Sequence, residues 1–163
     1  MIKMHFDGAC TPVNPGGIGT WGFQIDFCDG TEPLKGSGIC DNGAASTNNI
    51  AEYQGLLWGL VELGIREIKD QEIYIFGDSA LVVNMVLRKW GYKNPHAKAP
   101  HLIPYLKQAW AILSSLQEDG NKIHISWIPR ERNQDADDLT KSAYKQYVCN
   151  SKKWRRKNYI RYG

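Results

Sequence analysis

An α/β domain built on a mixed sheet is the fold class this sequence predicts, and three observations predict it. Three strand-like segments follow one another with short links at the N-terminus. A helix then leads to a strand that is apolar on both faces. From there to the end, helices and a further strand continue the alternation. Consecutive strands with short links make an antiparallel meander, whereas a doubly buried strand reached by a helical crossover runs parallel to an earlier one. The resulting order, βββαβααβα, places helices against the faces of a sheet. At 163 residues the chain is long enough for one core and hardly long enough for two.

Each element carries its own signal. Met1–Asp7 alternates, with Ile2, Met4 and Phe6 on one face and Lys3, His5 and Asp7 on the other, so Asp7 is expected to end the first strand. Thr20–Phe27 (TWGFQIDF) is the second strand and residues 33–39 the third, with CDG near Gly30 supplying turn chemistry. From Asn49, the run IAEYQGLLWGLVELG puts Ile50, Tyr53, Leu56, Leu57 and Leu60 on one helical stripe that Gly64 closes. Glu72–Asp78 (EIYIFGD) is the doubly apolar strand. Ser79–Trp90 is helical, GYKNPHAKAPH is a basic loop broken by proline, and Leu102–Leu116 is helical again. Lys122–Pro129 (KIHISWIP) is the last strand and Asn133–Tyr147 the last helix. This divides the chain into a domain over residues 1–149 and a basic tail over residues 150–163.

Composition excludes several classes. With 42% hydrophobic and 23% charged residues the chain has the balance of a soluble globular protein. No apolar stretch approaches the roughly 20 residues that span a bilayer, and MIKMHFDGAC lacks the apolar region of a secretory signal. Cys10, Cys28, Cys40 and Cys149 form no CxxC pair, which argues against a zinc site or a disulfide framework and makes a reducing cytoplasm the expected compartment. Cys10 reads as a small buried packer more readily than as a reactive thiol. Net charge is +3, but six of the 20 basic residues lie in the tail: Lys152, Lys153, Arg155, Arg156, Lys157 and Arg161. A slightly acidic body with a basic tail interleaved with Trp154, Tyr159 and Tyr162 suits phosphates and bases, although a solvated terminus has the same composition.

The acids carry the chemistry. Asp7 sits in FDGACTPVNPGG, and a carboxylate in a buried strand is costly unless it is hydrogen-bonded, paired or bound to a metal. Asp78 ends the doubly apolar strand. If the two strands are parallel neighbours, their carboxylates lie about 5 Å apart and repel unless a cation sits between them. Glu52 follows Asn49 by three residues, and local sequence favours a capping box for this pair. In RNQDADDLT, Asn133 reads as a cap, and Asp135, Asp137 and Asp138 as acids answering the helix dipole. Local sequence alone assigns no catalytic role to Glu52 or to any of these three.

Taken together, FDGACTPVNPGG, TNNIAEYQGL, GDSALV and PRERNQDADDLT, in that order and on those elements, resemble the type 1 ribonuclease H family over about Met1 to Tyr147. The resemblance implies a ribonuclease H-like fold, a five-stranded mixed sheet in the order 3-2-1-4-5 with helices on both faces. It implies a four-acid metal site on Asp7, Glu52, Asp78 and Asp137; the family's Asn four residues before the last acid selects Asp137 over its neighbours. The activity implied is endonucleolytic hydrolysis of the RNA strand of RNA–DNA hybrids, leaving 5′-phosphate and 3′-hydroxyl ends. It uses two Mg²⁺ or Mn²⁺ ions roughly 3.5–4 Å apart, and all-oxygen ligation favours these metals over zinc. Asp7 would bridge both ions, with Glu52 and Asp78 on the nucleophile side and Asp137 on the leaving-group side. Gly8 gives close access to the metals. By the resemblance Asn48, Asn49 and Thr47 would contact the duplex, where reading the 2′-OH separates RNA from DNA; Asn14 can hydrogen-bond it too, although a turn-forming role in VNPGG serves equally.

Two features depart from the family pattern. The loop before the last acid, WIPRERN, contains no His, so the resemblance is to the subgroup with an Arg there, and Arg130 takes part of that role, with Arg132 as the other candidate. His124 lies in the preceding strand and reads as a packed strand residue. The protruding basic helix is reduced to a Pro-broken segment in which Arg88, Lys89, Trp90, Lys93 and Lys98 are candidate phosphate contacts, and Lys152, Lys153, Arg155 and Arg156 of the tail are expected to supply what it lacks. A monomer without membrane association is expected, and the Met start favours a free-standing protein. The alternatives are a non-catalytic relative that binds hybrid or double-stranded RNA, an enzyme that also cleaves double-stranded RNA, or a domain separated from a reverse transcriptase.

Overall fold

The structure, a computed structural model, describes residues 1–40, 46–87 and 100–162, with side chains through Lys153. Its sheet has the order β3-β2-β1-β4-β5, as the resemblance implied. Strands β1 (Ile2–Thr11), β2 (Ile18–Asp26) and β3 (Leu34–Ile39) form the antiparallel meander. Strand β4 (Glu72–Gly77) joins β1 in parallel on its other side, and β5 (Lys122–Trp127) pairs in parallel with β4. Strand β1 continues four residues past Asp7, because its ladder to β2 runs on from Asp7 opposite Gly22 to Thr11 opposite Ile18. Asp7 is therefore interior to its strand. The apolar alternation stops at Asp7 because only the first half of β1 faces the core, whereas the ladder is made by backbone groups.

Helices α1 (Asn48–Ile65) and α3 (Ile103–Glu118) lie on one face of the sheet, and with α2 (Ala80–Leu87) they enclose the core. Ile2, Met4, Phe6, Ile73 and Ile75 from the sheet meet Tyr53, Leu56, Leu60, Leu106 and Leu113 there, each of them essentially fully buried. Each such side chain contributes about 1.5–3 kcal/mol by leaving water. Ser79 caps α2 through its hydroxyl, which accepts from the Val82 N–H at 3.3 Å. The expected helix Ser79–Trp90 is described as far as Leu87, and Arg88, Lys89, Trp90, Lys93 and Lys98 lie outside the described residues.

Helix α4 (Gln134–Tyr162) crosses the other face over β1, β2 and β3. Gly22 lets it in: a Cβ there would stand 2.8 Å from the Leu139 Cβ and 2.9 Å from the Ala136 carbonyl oxygen. The helix is much longer than the Asn133–Tyr147 expected. Ala143 is the last buried residue along it among the described side chains. Beyond the sheet no apolar stripe is required, so the amphipathic signal stops while the helical backbone, rich in Lys and Arg, continues.

Candidate active site

Strand register does the first part of the assembly. Phe6 pairs with Gly77 across β1 and β4, so the next residue on each chain, Asp7 and Asp78, comes to the same end of two parallel neighbours. Helix α1 supplies the third acid. It approaches β1 so closely that a Cβ on Gly8 would run into the Ala51 carbonyl and the Glu52 nitrogen. The space a Gly8 Cβ would take is thus filled by α1, while Gly8 itself lines the cleft. One carboxylate oxygen from each of Asp7, Glu52 and Asp78 then lies within 4.8 Å of the others.

The capping-box expectation for Glu52 fails on the same geometry. Thr47 is the N-cap of α1, its hydroxyl accepting from the Ile50 N–H at 3.2 Å. Glu52 therefore falls beyond the first turn and is buried against Asp7. Asn133 does not cap with its side chain either. Its Nδ2 donates to the Phe6 carbonyl at 2.8 Å and toward the Asp78 carboxylate at 3.4 Å, tying α4's entry to β1 and to the end of β4.

Packing the acids together changes their protonation. Burial, with the Asp78 and Asp137 charges adding to it, pushes Asp7 up to about 7 against the opposing effect of a hydrogen bond with Glu52. Burial and the neighbouring Asp7 carboxylate push Glu52 well above the usual range as well. The buried Glu52 Oε2 has no hydrogen-bond partner. Crowded, desolvated carboxylates with an orphaned oxygen are what a hard divalent cation satisfies, and the all-oxygen donor set suits Mg²⁺ or Mn²⁺. The residues present therefore fit the metal that the fold family implies.

Asp137 lies outside this group of three but reaches Asp7 and borders the same cleft, whose volume is about 320 Å³. Its Oδ2 accepts from Lys141 Nζ at 2.8 Å, one helical turn on, and its Oδ1 lies 3.7 Å from the Arg130 guanidinium. Burial works to raise its pKa, but hydrogen bonds with Lys141 and Asp7, helped by the Lys141 and Arg130 charges, outweigh it and hold the carboxyl below the usual range. Asp135 and Asp138 are exposed and accept from Gln24 and Gln134, away from the triad. Of the two loop arginines, Arg130 lines the cleft. His124 is a strand residue, stacked on Tyr74 with ring centroids 4.7 Å apart and 3.5 Å from Glu72.

The lip of the cleft is cross-braced. Asn14 Oδ1 accepts from the Asn48 N–H at 3.1 Å, and Asn48 Oδ1 accepts from the Cys10 N–H at 2.8 Å. The Cys10 thiol donates to the Val13 and Ser46 carbonyls, so it is a packer as expected. With their oxygens engaged, both amides keep their NH₂ donors available. Asn49, half-buried, and Thr47 belong to the same segment. The tail is not gathered here: Lys152 is fifteen residues beyond Asp137 on α4, about 22 Å along the axis. Lys152 and Lys153 are exposed, and Arg155 and Arg156 lie further along the same helix.

Two residues at the site were not singled out from sequence. Lys141 was detectable, since its spacing from Asp137 is that of an i,i+4 ion pair. Trp127 was not: its indole N–H donates to the Asp78 carbonyl at 3.0 Å, a contact created by the β4–β5 pairing.

Residues 6–143 match the reverse transcriptase-like family. A bifunctional protein of Mycobacterium tuberculosis, Rv2228c, is 37% identical over 101 residues, which are 60% of this chain and 24% of that protein, so this chain matches about a quarter of the length of its curated relatives. Among solved structures, the RNase H1 of the halophilic archaeon Halobacterium salinarum superposes with a TM-score of 0.70 at 28% identity, covering 89% of this chain and 98% of that one. LC11-RNase H1, solved in complex with an RNA/DNA hybrid, superposes with a TM-score of 0.73 at 25% identity over 91% of this chain and 99% of its own.

Proposed function

This chain belongs to the reverse transcriptase-like family as a type 1 ribonuclease H domain, and on that premise we propose that it is an endoribonuclease hydrolysing the RNA strand of RNA–DNA hybrids. One observation carries the reading: carboxylates from β1, β4 and α1 converge within 4.8 Å at one end of the sheet, with a fourth from α4 at the same cleft. When bound, divalent ions supply a water activated at neutral pH and neutralise charge on the departing 3′ oxygen. Asp7, Glu52 and Asp78 would hold one ion, and Asp7 with Asp137 a second. Asp137 faces Asp7 from outside the group of three that meet within 4.8 Å, which supports a second position beside the first. Products would carry 5′-phosphate and 3′-hydroxyl ends.

The remaining residues hold the substrate in this reading. The free amide donors of Asn14 and Asn48, with Asn49 and Thr47 beside them, face acceptors on the duplex; the backbone at Gly8 lines the floor. Arg130 stabilises charge beside Asp137. Lys152, Lys153, Arg155 and Arg156, well along α4, grip phosphates away from the cut and add affinity without chemistry.

End-labelled RNA–DNA hybrid, double-stranded RNA and double-stranded DNA, each incubated with Mg²⁺, with Mn²⁺ and with chelator beside Asp7→Asn, test this. The expected result is metal-dependent cutting of the hybrid's RNA strand alone, lost in Asp7→Asn. Cutting of double-stranded RNA as well would widen the substrate class. Binding without cutting in either metal would overturn the catalytic reading.

A further inference from the structure

We propose that the outer edge of β3 and the stretch of α4 that passes beyond it form a docking groove for an extended, acidic peptide segment of another protein, which joins the sheet as a sixth strand. This site is separate from the carboxylate cleft and does not rest on its chemistry, although Lys152 and Lys153 beside it also belong to the proposed phosphate-gripping tail.

The groove, about 600 Å³ against about 320 Å³ for the cleft, shares no residue with it. Ser37, Gly38 and Ile39 form one wall; Ala143, Gln146, Tyr147 and Asn150 of α4 form the other. Strand β3 lies at the end of the sheet order, so no described strand pairs with its outer side. The direction of its backbone groups follows from the ladder. Cys40 N–H donates to the Gly19 carbonyl at 2.8 Å, and in an antiparallel pair bonded and non-bonded positions alternate. Gly38, opposite Trp21, is then turned toward β2, whereas Ser37 and Ile39 turn their N–H and C=O groups outward along the groove. Donors and acceptors alternating at the strand repeat match a peptide main chain, and a sugar–phosphate backbone has no such pattern. A helix wall beside a strand edge leaves room for one chain between them. The α4 wall runs from Ala143 to Ser151, eight residue steps or about 12 Å, which accommodates about four extended residues.

Charge selects the kind of peptide. None of the residues lining the groove is acidic. Lys35, exposed, shares the β3 face of Ser37 and Ile39, and the exposed Lys152 and Lys153 follow directly on Ser151. Buried Ala143 and partly buried Ile39 give an apolar floor for alternate side chains. An edge strand with no partner among the described residues is a liability in a protein that does not use it.

The test uses the full chain and a fluorescein-labelled, end-blocked hexapeptide of alternating Glu and Val, followed by anisotropy and by backbone amide NMR. Saturable binding is expected, with shifts and slowed hydrogen exchange at Ser37 and Ile39. A Lys-Val hexapeptide and a backbone-methylated Glu-Val peptide should fail to bind. Ile39→Pro, which removes an outward N–H, and Gln146→Trp, which fills the groove from the α4 side without touching the strand, should each weaken binding by about tenfold or more while unfolding at the wild-type temperature. Absence of saturable binding, peptide-induced shifts confined to other residues, undiminished binding in both variants, or a twelve-base-pair hybrid shifting these amides where the peptide does not would each overturn the proposal.

Discussion

Replacing Asp7 with asparagine should abolish the activity and strengthen the metal-free fold. Asp7 titrates near 7 in the folded protein against an ordinary value of 3.8. The fold therefore retains a proton that the unfolded chain releases. Its contribution is complete below about pH 4 and is lost as pH rises through 7, so above pH 8 the ionised Asp7 opposes folding. At about 1.4 kcal/mol per pKa unit, the displacement of Asp7 sets a ceiling of about 4 kcal/mol. Asparagine keeps the shape and removes the charge that crowds Glu52 and Asp78. A gain of about 2–4 kcal/mol at pH 8 is expected, which for a chain of this size raises the melting temperature by roughly 4–16 °C. Urea and thermal melts in chelator at pH 4 and pH 8 read this directly, with the gain present at pH 8 and absent at pH 4. Adding Mg²⁺ should stabilise the wild type and leave the variant unmoved. A variant no more stable than the wild type at pH 8 in chelator would refute the reasoning, because it would mean that the three carboxylates do not repel in the empty fold.

Three other outcomes follow from the site. Lys141→Gln removes the cation that occupies Asp137, so the Asp137 carboxyl should titrate closer to its ordinary value and the Mg²⁺ concentration for half-maximal cutting should fall several-fold; carboxyl NMR titration and a metal-dependence curve check the two arms. Gly8→Ala changes no functional group, yet its Cβ meets the α1 backbone. It should cost about 1–3 kcal/mol and lower metal affinity by displacing Glu52, as read by unfolding and by calorimetric titration with Mn²⁺. Deleting the residues after Asn150 should weaken hybrid binding and flatten its salt dependence while leaving cutting at saturating substrate unchanged; an unaltered salt slope in a filter-binding series would contradict it.

Much of this site was legible before folding because several constraints act along the chain. Asp7 and Asp78 follow apolar strand residues that must be buried. The i, i+3, i+4 stripe of α1 identifies Tyr53, Leu56 and Leu60 as core. The four blocks in order point to one family even though each alone is weak. The reading failed where the deciding partner lies far away in sequence. Asn49 and Glu52 fit a capping box perfectly well as a local pattern, but Thr47 takes the cap once α1 is pressed onto β1. Asn133 reads as a helix cap until its amide is seen holding the Phe6 carbonyl across 127 positions of chain.

The sequence by itself determined the type and order of the elements and the core faces, because side-chain periodicity and chain order are properties of residues close together; the four acids were named only by the resemblance of four blocks in order. Tertiary structure alone decided which acids share a pocket and which is neutralised by a neighbour, where α4 outruns the sheet, and which edge of β3 has no partner strand among the described residues. Those outcomes depend on strand register and helix approach, which bring distant residues within a few ångströms, and at that range burial and charge override local preference.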